Sequence, residues 1–129
     1  MAKLVGTWQF VSVENLEALL NELKLPDDIR KKAMDDKPKL TISMPDSNHV
    51  TIHKEGSPHP ITCAFGQEFE HPGPCGKTIK SIMTKESDTR LMSRDTAHTG
   101  GIVYELHGHE LLVTTHVGDV KSTAKFHRA

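Results

Sequence analysis

Cysteine is scarce in this chain of 129 residues, with only Cys63 and Cys75 present. Two cysteines cannot staple a small secreted scaffold, and so low a number suits a reducing compartment. Long apolar runs are missing as well, so no segment approaches the ~20 residues a helix needs to cross a bilayer. The opening Met1-Ala2-Lys3-Leu4-Val5-Gly6 has no apolar stretch of the kind a secretory signal carries. Neither sign of charge dominates: 16 basic residues stand against 17 acidic ones, and no basic run offers the footprint of a nucleic-acid binder. These absences lead us to expect one cytoplasmic domain, residues 1–129, acting as a monomer without nucleic acid.

Catalytic and metal motifs are absent too. Gly76-Lys77-Thr78 ends like a phosphate-binding loop, but His71 stands where that loop needs its first glycine. There is no G-x-S-x-G and no H-E-x-x-H. Among nine histidines the one tight pair is His107-x-His109, at a predicted hairpin turn with no cysteine or carboxylate at zinc spacing. We therefore expect no metal and no cofactor, and read the histidines as solvated. Asp95, at an inward strand position, is the polar oddity that a small enzyme with an internal active site would exploit.

What the chain does have is periodicity. Leu16, Leu19, Leu20 and Leu23 follow the i, i+3, i+4, i+7 rule and share one helical stripe, with Asn15 placed to cap it. Pro26 ends that helix, and Asp27 is expected to cap a second one. In this helix Ile29 and Ala33 share a face before Pro38 forces extended chain. Nearly everything else alternates with period two: Leu40-Ile42-Met44, Ile61-Cys63-Phe65, Ile102-Tyr104-Leu106, Leu111-Val113-Thr115, and Val120 through Phe126. Pro, Gly, Asn and Asp clusters punctuate these runs at short intervals, as at Pro45-Asp46-Ser47-Asn48, Pro72-Gly73-Pro74 and Gly118-Asp119. The count is about ten short antiparallel strands, with the helical hairpin between the first and second.

The predicted inner face mixes apolar residues with Ser81, Ser93, Thr115 and Ser122, and large side chains are few. A barrel of ten strands is wider than such side chains can fill, so an internal cavity is expected. The alternative is a solid sandwich whose inner polar groups bond to backbone.

Gly6-Thr7-Trp8, Glu14-Asn15-Leu16, Leu25-Pro26-Asp27-Asp28-Ile29, Lys37-Pro38, Phe65-Gly66-Gln67-Glu68-Phe69, Lys77-Thr78-Ile79-Lys80-Ser81 and Gly118-Asp119 occur in that order. Together they resemble the intracellular lipid-binding proteins, the fatty-acid-binding protein family. Leu25-Pro26-Asp27-Asp28 and Gly118-Asp119 lean toward its liver-type and bile-acid-binding branch. The resemblance implies an all-β fold, a ten-stranded antiparallel up-and-down barrel (a β-clam) capped by a helix-turn-helix between strands 1 and 2. It also implies non-enzymatic carriage of a long-chain fatty acid or related lipid; bile acids and retinoids are the alternatives, ahead of a small enzyme using the cavity. Many members hold a carboxylate deep in the barrel with two arginines and a tyrosine. In this chain those positions are Tyr104, Ala124 and Phe126, so no arginine stands at any of them.

Ligand contacts are then expected from Leu20, Leu23, Ile29 and Ala33 of the helices. From the strands we expect Leu40, Ile52, Ile61 and Cys63, then Met83, Leu91 and Ser93, then Ile102, Tyr104, Val113 and Thr115, and finally Ser122, Ala124 and Phe126. Loss of the arginines need not abolish binding. Burying an acyl chain at about 0.8 kcal/mol per methylene gives on the order of 10 kcal/mol gross. A micromolar complex needs about 8 kcal/mol. A carboxylate is expected near solvent, by Arg30, Lys32 or Lys54, with Tyr104 and Ser122 offering neutral hydrogen bonds inside. Arg30, Lys31 and Lys32 are also the expected contact with anionic membrane surfaces. The turns near Gly56 and Pro74, together with the helices, are expected to form the portal.

Overall fold

The computed structural model describes residues 3–22, 24, 26–35, 37–55, 60–72, 78–96 and 100–129. Strand β1 (Gly6–Glu14) leads into helices α1 (Leu16–Glu22) and α2 (Asp27–Asp35). Nine further strands follow: β2 (Lys39–Asp46), β3 (His49–Lys54), β4 (Ile61–Ala64), β5 (Glu68–Pro72), β6 (Thr78–Ser87), β7 (Arg90–Asp95), β8 (Gly100–His107), β9 (Glu110–Val117) and β10 (Val120–Arg128). All pair antiparallel in the order β4-β3-β2-β1-β10-β9-β8-β7-β6-β5, so β1 joins β10 and the sheet curls into a barrel. Among the described residues, β4 and β5, the two edges of the sheet, are not paired with each other. The turn between them ties to both sides: Phe65 N donates to Asn48 O (2.9 Å) and Gly66 N to Met83 O (2.8 Å).

β1 departs from strict alternation. Its pairing with β10 slips between Phe10 and Ser12, which leaves Val11 exposed as a bulge. One extra residue in a strand resets which side its neighbours face. Phe10 and Val13, three apart, therefore both point inward, opposite Phe126 and Ala124.

Solid packing gathers at the base, the end opposite the helices. Leu4, Trp8, Ile42, Val50, Met83, Leu91 and Leu111 are fully buried there. The Trp8 indole Nε1 donates to Leu4 O (3.0 Å). Arg128 lies over the Trp8 ring at 4.3 Å and donates to the carbonyls of Val5 (3.1 Å) and Lys3 (2.7 Å). Cation–ring contact and two charge-assisted bonds thus hold the N-terminal segment under the barrel. Gly6 makes this possible: at φ +144°, a Cβ would stand 2.6 Å from Arg128 Nη1.

Two helix-capping expectations are corrected. Asn15 does occupy the position before α1, and its carbonyl accepts from Leu19 N (3.3 Å), but its side chain does not cap. With φ at +61°, Asn15 instead donates through Nδ2 to Lys121 O of β10 (2.7 Å), tying the helix start to the wall. Asp27 is the first residue of α2, not its cap; the Pro26 carbonyl accepts from Arg30 N (3.0 Å). Asp27 and Asp28 favour the helix instead by placing negative charge in its first turn.

Candidate functional site

Inward-facing residues on β8, β9 and β10 line up by register. Ile102, Thr115 and Ser122 form one row, and Tyr104, Val113 and Ala124 the next row toward the base. Leu106, Leu111 and Phe126 lie one row deeper. α1 closes the top by packing against β10 and β9, and α2 packs on α1. Beneath the helices lies a cavity of about 400 Å³, within the size range of small-molecule sites. This interior is hollow, and the solid-sandwich alternative does not hold.

The cavity is lined by Phe10, Val13, Leu16, Leu19, Pro38, Leu40, Ile52, Lys54, Ile61, Ile102, Tyr104, Val113, Thr115, Ser122, Ala124 and Phe126. Among the residues the sequence singled out, those from Leu40, Ile52 and Ile61 through Ile102, Tyr104, Val113, Thr115, Ser122, Ala124 and Phe126 lie on its wall. Others do not. Cys63, Met83 and Leu91 are inward but packed into the solid core. Ser93 is buried on β7, and among the described residues none of β5, β6 or β7 lines the cavity. Leu20 is buried and Ile29 half-buried, and neither is among the lining residues; of the α1 leucines, Leu16 and Leu19 form the roof. Leu23, the Ala33 side chain, and the turns at Gly56 and Pro74 fall outside the described residues.

Sequence reasoning missed Phe10, Val13, Leu16, Leu19 and Pro38 as wall residues. Leu16 and Leu19 were legible as a helical stripe, and Phe10 follows the alternation from Trp8; only Val13 is hidden by the bulge.

Polar groups in the wall are almost all hydroxyls. Ser122 Oγ donates to the Glu14 carbonyl (2.9 Å). Tyr104 is buried, and that burial, with a smaller contribution from nearby Cys63, holds its phenol far above the usual tyrosine range. It is therefore a neutral donor at any ordinary pH. Burial likewise pushes the Cys63 thiol up to about 11, so it stays protonated and is a poor nucleophile. Lys54 is exposed at the helix end of β3, opposite Leu40, and is the one cation lining the cavity among the described residues. The Arg30 guanidinium, expected near a ligand carboxylate, bonds to Asn21 Oδ1 of α1 and lies 3.7 Å from Asp27. Among the described residues, no group of three or more His, Cys, Asp or Glu is arranged to hold a metal ion.

The model of the lipocalin / cytosolic fatty-acid binding protein family matches residues 5–124. This chain belongs to that family. A fatty acid-binding protein 1 of Fasciola gigantica is 32% identical and aligns over 100% of both chains. A liver fatty acid-binding protein of Schroederichthys bivius is 30% identical over 95% of this chain and 96% of its own. Standing no nearer than the fluke protein, it adds little to the liver-type leaning. In structure the chain superposes on a Schistosoma mansoni fatty acid binding protein solved with arachidonic acid, with a TM-score of 0.90 and 26% identity. That match covers 100% of this chain and 98% of the other.

Proposed function

We propose that this chain, as one barrel domain spanning residues 1–129, carries a long-chain fatty acid or closely related lipid without catalysing a reaction on it. The observation that carries this reading is the 400 Å³ cavity with a predominantly apolar wall in a member of this family. Affinity comes from removing the acyl chain from water against Phe10, Ile52, Ile102, Val113 and Ala124. A carboxylate of such a ligand rests at the rim near Lys54, because a charge taken deeper would meet only neutral groups. The names of the fluke and schistosome relatives support a fatty acid as cargo.

The carrier works as a cytoplasmic monomer. It meets anionic membranes through the exposed Lys31 and Lys32 of α2, since Arg30 is engaged within the helical hairpin. Displacement of a bound fluorescent fatty acid by oleate, bile acids and retinoids tests the assignment. Oleate should compete at micromolar concentration or better and the others more weakly. A chain that takes up none of them, or only bile acids, would overturn it.

A further inference from the structure

We infer that the outer wall of the barrel on β7–β10 is a docking surface for an extended, acidic protein segment. The inference is independent of the cargo, because it concerns the side of the wall turned away from the cavity. Along these strands Ser93, Ile102, Thr115 and Ser122 face inward. Their chain neighbours Arg94, Gly101, His116 and Lys121 therefore face out, and register sets these four side by side in one row across the sheet. Gly101 leaves the row open at its centre, and the His116 ring leans across it. The His116 Nε2 lies 3.1 Å from where a Gly101 Cβ would stand.

From β7 to β10 this row holds no carboxylate. The side chains of Arg94, His116 and Lys121 have no ion pair or hydrogen bond among the described residues, and Arg94 and Lys121 are exposed. Glu14, paired with Thr123, and Glu68, beyond Ile82, flank the row at its two ends. Two and three rows toward the base the same face is neutralised: Glu105 meets Arg90 and His107, and Glu110 meets Lys125 and His127. Positive charge is thus uncompensated along one line only, and it attracts carboxylates. The next row, Met92, Val103, Thr114 and Thr123, is half-buried, and its two threonine hydroxyls bond to each other (3.3 Å). A charged line beside a mostly apolar one suits a segment that alternates acidic and apolar residues. At about 4.8 Å per strand, Arg94 and Lys121 stand roughly 14 Å apart, which an extended chain rising about 3.3 Å per residue spans with about five residues.

The test follows the fluorescence anisotropy of a fluorescein-labelled pentapeptide alternating glutamate and valine, with the lysine–valine counterpart as control. At low salt the acidic peptide should bind the wild-type chain saturably below about 1 mM, and the basic one should not. Raising the salt should weaken binding. Arg94→Glu combined with Lys121→Glu should weaken it about tenfold, and Arg94→Gln with Lys121→Gln about threefold, the milder pair serving if the reversals prove poorly folded by circular dichroism. Lys31→Glu with Lys32→Glu on α2 should leave it within about twofold. Absence of saturable binding, equal losses from the α2 and wall variants, or a folded wall variant that binds like the wild type would overturn the inference. So would a wall variant that loses binding to phosphatidylserine vesicles as steeply as to the peptide, since the face would then be a membrane contact.

Discussion

At the base of the barrel Leu4, Trp8, Ile42, Met83, Leu91 and Leu111 are each at most 2% exposed. One or two rows farther along the same strands, Phe10, Ile102, Val113 and Ala124 are only half-buried, because they face open space inside the barrel. The two ends have the same strand pairing and the same alternation, and differ in what fills the middle. At the base, the N-terminal segment brings fully buried Leu4 and Trp8 together, joined by the Trp8 Nε1–Leu4 O bond. Under the helices, Ala124, Thr115 and Ser122 are too small to reach across. Close packing is therefore concentrated at one end and open space at the other.

Mutations should separate the ends. Trp8→Ala removes the largest fully buried side chain and the platform under Arg128, and should cost about 3–5 kcal/mol in urea unfolding. Leu111→Ala at the base should cost about 2–5 kcal/mol, whereas Val113→Ala, two residues away on β9, should cost roughly 1 kcal/mol because its neighbourhood is already partly empty. Equal losses at Leu111 and Val113 would erase the contrast.

A smaller effect concerns pH. The Arg90 guanidinium (2.8 Å), then His107 (2.7 Å), hold the Glu105 carboxyl below its ordinary value; His127 (3.0 Å), with Lys125, does the same for Glu110, and His49 for Asp46. Folded carboxyls with lowered pKa bind fewer protons than the unfolded chain. Their contribution is present above the usual carboxylate range near 4–4.5 and is lost as the pH falls through their lower folded values. All three pairs are at the surface, so the loss should be slight and should shrink further in high salt. Urea midpoints measured from pH 6 to pH 2.5 at two salt concentrations check this, and a salt-independent slope would contradict it.

Much of this division was only half legible in the sequence. Alternation told inside from outside along β2, β4, β8, β9 and β10, and the family resemblance marked the missing arginines at Tyr104 and Ala124. It carried no information on depth. Met83, Leu91 and Cys63 read like Ile102 and Val113, although the first three are fully in the core and the last two line the cavity half-buried. Depth depends on how strand register and the N-terminal segment stack rows along the barrel, which is a long-range property. Val13 was hidden for a local reason, the bulge at Val11. Asn15 misled because its side chain, suited to accept from the first turn of α1, is turned toward β10, where its Nδ2 donates to Lys121 O.

The most direct measurement is native mass spectrometry of the wild-type chain and of Ala124→Trp, each titrated with oleate. Ala124 faces the cavity between Val13 and Val113, so an indole there should occupy the acyl chain's place while leaving the base intact. The wild type should form a one-to-one adduct, and the folded variant should lose it at least tenfold. A wild-type chain without an adduct, or a folded variant that retains it in full, would contradict the claim that the upper barrel is the binding chamber.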